Sequence, residues 1–189
     1  MNLTVSVAPT GEPITADEQK AWSRITDGAE DAHLEMLITG ARTHVEHWLG
    51  RALMEQTLVA KWDCWPCEFE LERAPVQSVT SVQYIDVNGV TQTVASTHYY
   101  ADLDSTPPRI VRKQDYTWPT LQLGRPNAVT VTYVAGYASA DDVPRPIKMA
   151  ISMLVDHWYE NRGPVLVGAI LAEIPLTVQA LLGPYRIWC

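Results

Sequence analysis

Residues 143–163 read VPRPIKMAISMLVDHWYENRG. On a helical period Ile147, Ala150, Ile151, Leu154, Val155 and Trp158 share one face, while Lys148, Ser152, Asp156 and Glu160 fall elsewhere. Pro146 suits the first turn of a helix, where a missing N–H costs nothing, and Gly163 followed by Pro164 supplies a left-handed exit and a stop. A lone helix of this length is marginal in water, so its apolar stripe requires a partner elsewhere in the chain.

Residues 31–49 provide one. Leu34, Leu37, Ile38, Ala41, Val45, Trp48 and Leu49 form a tighter stripe, Arg42 and Glu46 make an i,i+4 pair assigned to the solvent side, and Gly50 ends the run. Asp27 with Glu30 offers a capping signal just upstream. Two helices far apart in the chain therefore share a core in this reading, and the stretch between them is an insertion.

That stretch has a different texture. Short runs rich in Val, Thr, Tyr and Trp occupy 57–62, 69–71, 76–85, 90–94, 99–102, 109–112 and 128–135, separated by turn residues. Asn88-Gly89 is a strong hairpin signal because both residues tolerate positive φ. With turns this frequent and no helical pattern between runs, the pairing should be mainly antiparallel. The expected fold class is α+β: a small helical bundle from N- and C-terminal segments with an inserted, mainly antiparallel β subdomain. Its parts are a flexible lead-in over 1–14, a helical part over 15–50, the insertion over 51–137, a helical part over 138–183 that completes the bundle, and a tail over 184–189.

Within the first helical part, Thr15 and Glu18 form a capping box for a short helix, TADEQKAWSRI, that groups Ala21, Trp22 and Ile25. After the long helix at 143–163 comes GPVLVGAILAE, apolar yet bounded by glycine and proline. Burial at a subunit contact is one reading, and a strand or helix turn packed on the chain's own core is the other. Pro175 then opens a short helix carrying Leu176, Val178, Leu181 and Leu182, closed by Gly183-Pro184. Tyr185, Arg186, Ile187 and Trp188 lie beyond that stop.

Composition narrows the function classes. The formal net charge is -8, which argues against tight binding to a phosphate backbone, though not against DNA passing nearby. No apolar run reaches the roughly 18 residues of a membrane span, and MNLTVSVAPTGEP lacks the basic-then-apolar pattern of a signal peptide. A soluble protein made in the cytoplasm, without a membrane partner, is the expectation. Three cysteines cannot form a disulfide framework. Seven tryptophans and eight tyrosines against one phenylalanine point to core packing with some interface use, since Trp and Tyr combine contact area with a polar handle.

Chemical motifs are weak. Cys64-Trp65-Pro66-Cys67 has dithiol spacing, but a redox thiol wants a helix N-terminus to lower its pKa, and the motif sits between strand-like runs. A structural zinc would need two further ligands, for which Cys189 and a histidine are the available candidates. His44 and His47 lie three apart on a helix flank without a Glu-x-x-His partner, and read as solvated helix residues. No G-x-S-x-G, P-loop or G-x-G-x-x-G is present, and no carboxylates form a persuasive acid/base pair. No catalytic, cofactor-binding or metal-binding residues are assigned.

The order of EDAHLEMLITGARTHVEHWLGRAL, SVQYIDVNG, VTVTYVAGY, VPRPIKMAISMLVDHWYENRG and IPLTVQALLGPYRIW resembles the head–tail connector (adaptor) proteins of tailed bacteriophages and related gene transfer agents, most nearly a prophage subgroup with a β insertion. The resemblance spans nearly the whole chain from about residue 15, and rests on the order and spacing of these pieces. It implies a non-enzymatic virion protein at the head–tail junction, with the host cytoplasm as its place of assembly. Copies would form a ring, expected to be a dodecamer, between the portal protein and a tail or stopper protein, and DNA would pass through without sequence-specific binding. The resemblance carries no catalytic residues. Two alternatives accompany it: a tail completion or stopper protein, and a CxxC dithiol oxidoreductase built on Cys64 and Cys67. Met149, Met153, Val165 and Leu166 are the candidate ring contacts, and Tyr185, Arg186, Ile187 and Trp188 the candidate portal contacts.

Overall fold

A computed structural model describes residues 1–26, 28–161 and 176–187. Its architecture is α+β, with N- and C-terminal helices and an inserted antiparallel β subdomain. The chain divides into two compact units, one from residues 1–10 and 55–137 and one from the described parts of 11–54 and 138–188.

The helical unit begins with α1 (Ala16–Ser23), whose capping box is formed: the Thr15 hydroxyl accepts from the Glu18 amide at 3.1 Å and the Glu18 carboxylate accepts from the Thr15 amide at 2.7 Å. Its buried residue is Gln19, whereas Ala21 and Trp22 are exposed, so the expected grouping of Ala21, Trp22 and Ile25 is not its inner face. Next, α2 (Asp31–Leu49) ends at Gly50 with φ 68°. Glu30 stands at its N-cap without a side-chain cap bond, and Asp27 lies outside the described residues.

α3 (Arg145–Glu160) carries Pro146 in its first turn and ends at Asn161. The two long helices pack together as their stripes require, with Leu34, Ile38, Ala41, Val45 and Leu49 meeting Ile147, Ala150, Ile151, Leu154 and Val155 in one core. Ser152 is also buried, where its carbonyl accepts from the Gln19 amide group at 3.3 Å. α4 (Leu176–Leu182) packs on α3 and buries Val178 and Leu182, while Leu176 stays exposed.

The Arg42–Glu46 pair forms at 2.9 Å, but both residues are buried rather than on the solvent side. The segment after Gly11 lies over α2, and Glu12 grips Arg42 Nε at 2.6 Å, completing a Glu–Arg–Glu triad. Glu46 also accepts the Leu53 amide at 2.8 Å, which ties the chain leaving α2 to the same group.

The β unit contains two antiparallel sheets. Five strands run in the order β1 (Asn2–Val7), β2 (Gln56–Trp62), β8 (Val129–Ala135), β4 (Val76–Ile85), β5 (Thr91–Val94). Three more run β3 (Glu68–Glu70), β7 (Arg109–Arg112), β6 (Tyr99–Asp102). The flexible lead-in expected over 1–14 is corrected for residues 2–7, which pair with β2 from Asn2 opposite Lys61 to Val7 opposite Thr57. Their Thr and Val content suits a strand, but most of its side chains are exposed, so no burial alternation announces it.

In β8, Val129, Val131, Tyr133 and Ala135 alternate into the core, and the Tyr133 hydroxyl donates to the Glu72 carbonyl at 2.9 Å. Burial pushes the Tyr133 pKa up, with the nearby Glu72 charge adding to the shift. The chain's one phenylalanine, Phe69, is fully buried and meets Trp62, Trp65 and Trp118 edge-on, joining the two sheets. Arg109 on β7 reaches Glu68 at 3.0 Å and Asp102 at 3.1 Å, clasping both neighbouring strands.

Candidate assembly surface

The helical unit carries an apolar groove of about 380 Å³ where α1, α3 and α4 converge. Trp22 from α1, Pro146 and Met149 from α3 and Leu181 from α4 line it, with Arg145 and Lys148 beside them. Trp22 is exposed but held, because its indole N–H donates to Asp156 at 2.9 Å. Asp156 accepts from the Ser23 hydroxyl and the Gln19 amide as well, so the helix–helix polar network fixes the rim of the groove. Neither Arg145 nor Lys148 forms an ion pair among the described residues.

Met149 is therefore part of a surface feature, 43% exposed, while Met153 is half-buried on the same helix. Val165, Leu166 and Trp188 lie outside the described residues. Tyr185, Arg186 and Ile187 are half-buried against the end of α2. There the Tyr185 carbonyl accepts from Arg51 Nε at 2.5 Å, the Ile187 amide donates to the Leu49 carbonyl at 2.9 Å, and the Arg186 guanidinium lies 4.8 Å from the Trp48 ring centroid. A helix C-terminus exposes unpaired carbonyls, and Ile187 satisfies one of them. The tail is thus seated through Ile187 despite following a helix stop.

Sequence reasoning named Met149 as a candidate contact but not the groove that it lines, because Trp22 belongs to a helix whose inward residue is a glutamine. Its available signal was the mismatch between a long indole and the polar face on which it stands.

Cys64 and Cys67 are exposed free thiols in the turn between β2 and β3, away from any helix N-terminus. Trp65 between them stacks on Trp118 with centroids 4.4 Å apart and donates to the Pro119 carbonyl at 2.8 Å, an arrangement that serves packing. His47 sits exposed with Nδ1 2.8 Å from the Thr43 carbonyl, whereas His44 is half-buried edge-on to Trp158, so only His47 is a solvated residue. Among the described residues no three His, Cys, Asp or Glu side chains are grouped to hold a metal ion, and no helix is long and apolar enough to cross a membrane.

The chain is similar to a chain in the neck of an empty gene transfer agent (GTA) particle, a structure computed with C6 symmetry: 26% identity over 100% of this chain and 97% of that one, TM-score 0.82. A chain of the virion of a native GTA particle matches at 26% identity over the same shares, with TM-score 0.81. A third, from the neck of a native GTA particle computed with C12 symmetry, shares the fold at 24% identity and TM-score 0.75. No curated protein matches. The model of the head completion protein family matches residues 12–187, and the chain belongs to that family.

Proposed function

We propose that this chain is a structural head–tail connector (adaptor) of a tailed phage, prophage or gene transfer agent particle, assembling as a ring in the neck between portal and tail. The observation that carries the reading is end-to-end likeness to a GTA neck chain, helices and β insertion together. A ring of head-to-tail copies needs two unlike faces on each copy, which a helical unit and a β unit on one chain can supply. The net charge of -8 suits a lining past which DNA must slide, since cationic side chains would hold the phosphates.

In this reading the flank of α3 around Met149 and Met153, with Val165 and Leu166, makes the ring contacts, and Tyr185, Arg186, Ile187 and Trp188 face the portal. The test is electron microscopy of the purified chain mixed with its portal, using the full chain, a deletion of 184–189, and Val165→Asp with Leu166→Asp. Rings seated on portal are expected for the full chain. The deletion should lose portal attachment, and the paired charges should leave a folded chain without rings. Attachment to tail tube instead of portal would replace the connector with a tail completion protein.

A further inference from the structure

We propose that the groove formed by α1, α3 and α4 receives the exposed Met36 ridge of α2 from a second copy of the chain. This names the contact partner for the self-assembly reading above, and rests on it.

Two features within the helical unit are left without a use by its own core. One is the groove itself, lined by Trp22, Met149 and Leu181 together with the two cations Arg145 and Lys148. A Trp fixed by the Asp156 hydrogen bond loses little rotamer freedom on contact, which is the property of an interface anchor. The other is Met36, 62% exposed in the middle of an ordered helix. Of its helical neighbours, Ala32, Thr39 and Gly40 are small and exposed while His33 is half-buried beside Tyr159, and Glu35, next to it in the chain, is exposed.

The two features fit each other chemically. A flexible thioether fills an irregular cleft and makes a favourable contact with an indole ring. Glu35 brings one negative charge to a groove with two positive ones, and among the described residues none of the three has an ion-pair partner. Ridge and groove are built from different helices, so one copy's ridge seated in the next copy's groove gives a heterologous contact that repeats from copy to copy, as a ring requires.

The experiment mixes two variants of different tag mass, Met36→Cys and Met149→Cys, each with Cys64, Cys67 and Cys189 replaced by Ser, under mild oxidation. The expected product is the disulfide-linked heterodimer, severalfold above either homodimer. Lys148→Glu in the Met149→Cys copy should lower its yield, and Glu35→Lys in the Met36→Cys copy should restore it. A heterodimer no more abundant than the homodimers, or a yield indifferent to both charge reversals, overturns the contact. Electron microscopy of the native chain with portal separates this from the ring reading. Rings without the heterodimer leave the ring and remove this contact, while the heterodimer without rings does the reverse.

Discussion

Arg42 decides more than its i,i+4 spacing suggested. It is 8% exposed and bonded to Glu12 and Glu46, so removing it takes the cation from two carboxylates, the half-buried Glu12, which keeps the Thr39 hydroxyl, and the buried Glu46, which keeps the Leu53 amide. Burial by itself would lower the Arg42 pKa, but the two carboxylates outweigh it and the net shift is upward, keeping the guanidinium charged. Breaking a buried pair from one side typically costs about 3–5 kcal/mol, and Arg42→Ala should lose that much in chemical denaturation. Glu46→Gln retains an acceptor for the Leu53 amide and should cost clearly less. Equal losses for the two variants would mean that the Arg42–Glu46 pair alone, without Glu12, sets the cost at this site. The pairing of Arg42 with Glu46 was legible in the sequence, but its burial was not, because the covering residue Glu12 comes from a stretch whose Pro and Gly gave no period to read.

At the scale of elements, the hairpin joining β4 and β5 shows how a local signal becomes geometry. The turn spans Asp86 to Val90, with the Asp86 amide donating to the Val90 carbonyl at 2.9 Å and only Gly89 adopting positive φ, at 79°. Asp86 Oδ1 accepts from the Asn88 and Val90 amides, and Oδ2 from Gln92. These bonds, the Val90 amide first, hold its carboxyl below the ordinary value of 3.8. A depressed folded-state pKa contributes stability that is present above 3.8 and lost as pH falls through the lower folded value. Protection of the Asn88 and Val90 amides, taken relative to the unstructured rate at each pH, should therefore fall in that acid window, and Asp86→Asn should abolish this loss while keeping a turn. If protection in the native chain stays constant there, Asp86 is not the titrating group. Among the described residues, seven of the eight strands were readable from β-branched runs and turn residues, and both long helices from their apolar stripes. β1 escaped because an edge strand with both faces exposed lacks the alternation that burial imposes.

For the whole molecule, the balance of charge makes a further statement. A net charge of -8 argues against tight binding to a phosphate backbone, so an electrophoretic mobility assay should show no retardation of duplex at about 10 µM protein and about 150 mM salt. Retardation under those conditions would remove the argument that the chain lets DNA slide past. The candidate contacts were less legible than the fold. Met149 could be picked from its place beside the α3 stripe, but the groove it lines depends on side chains from three helices, and periodicity describes one helix at a time.

The seating of β1 carries an implication for how the polypeptide acquires its shape. Thr4 reaches across 55 positions to the Val59 carbonyl, and β2, the strand that β1 pairs with, is synthesised well after it. Helices α1 and α2 emerge in the interval, so the leading strand must wait, unpaired, for a distant mate. Closing so long a loop is entropically slow, which makes the docking of residues 2–7 a late event in maturation of the nascent chain.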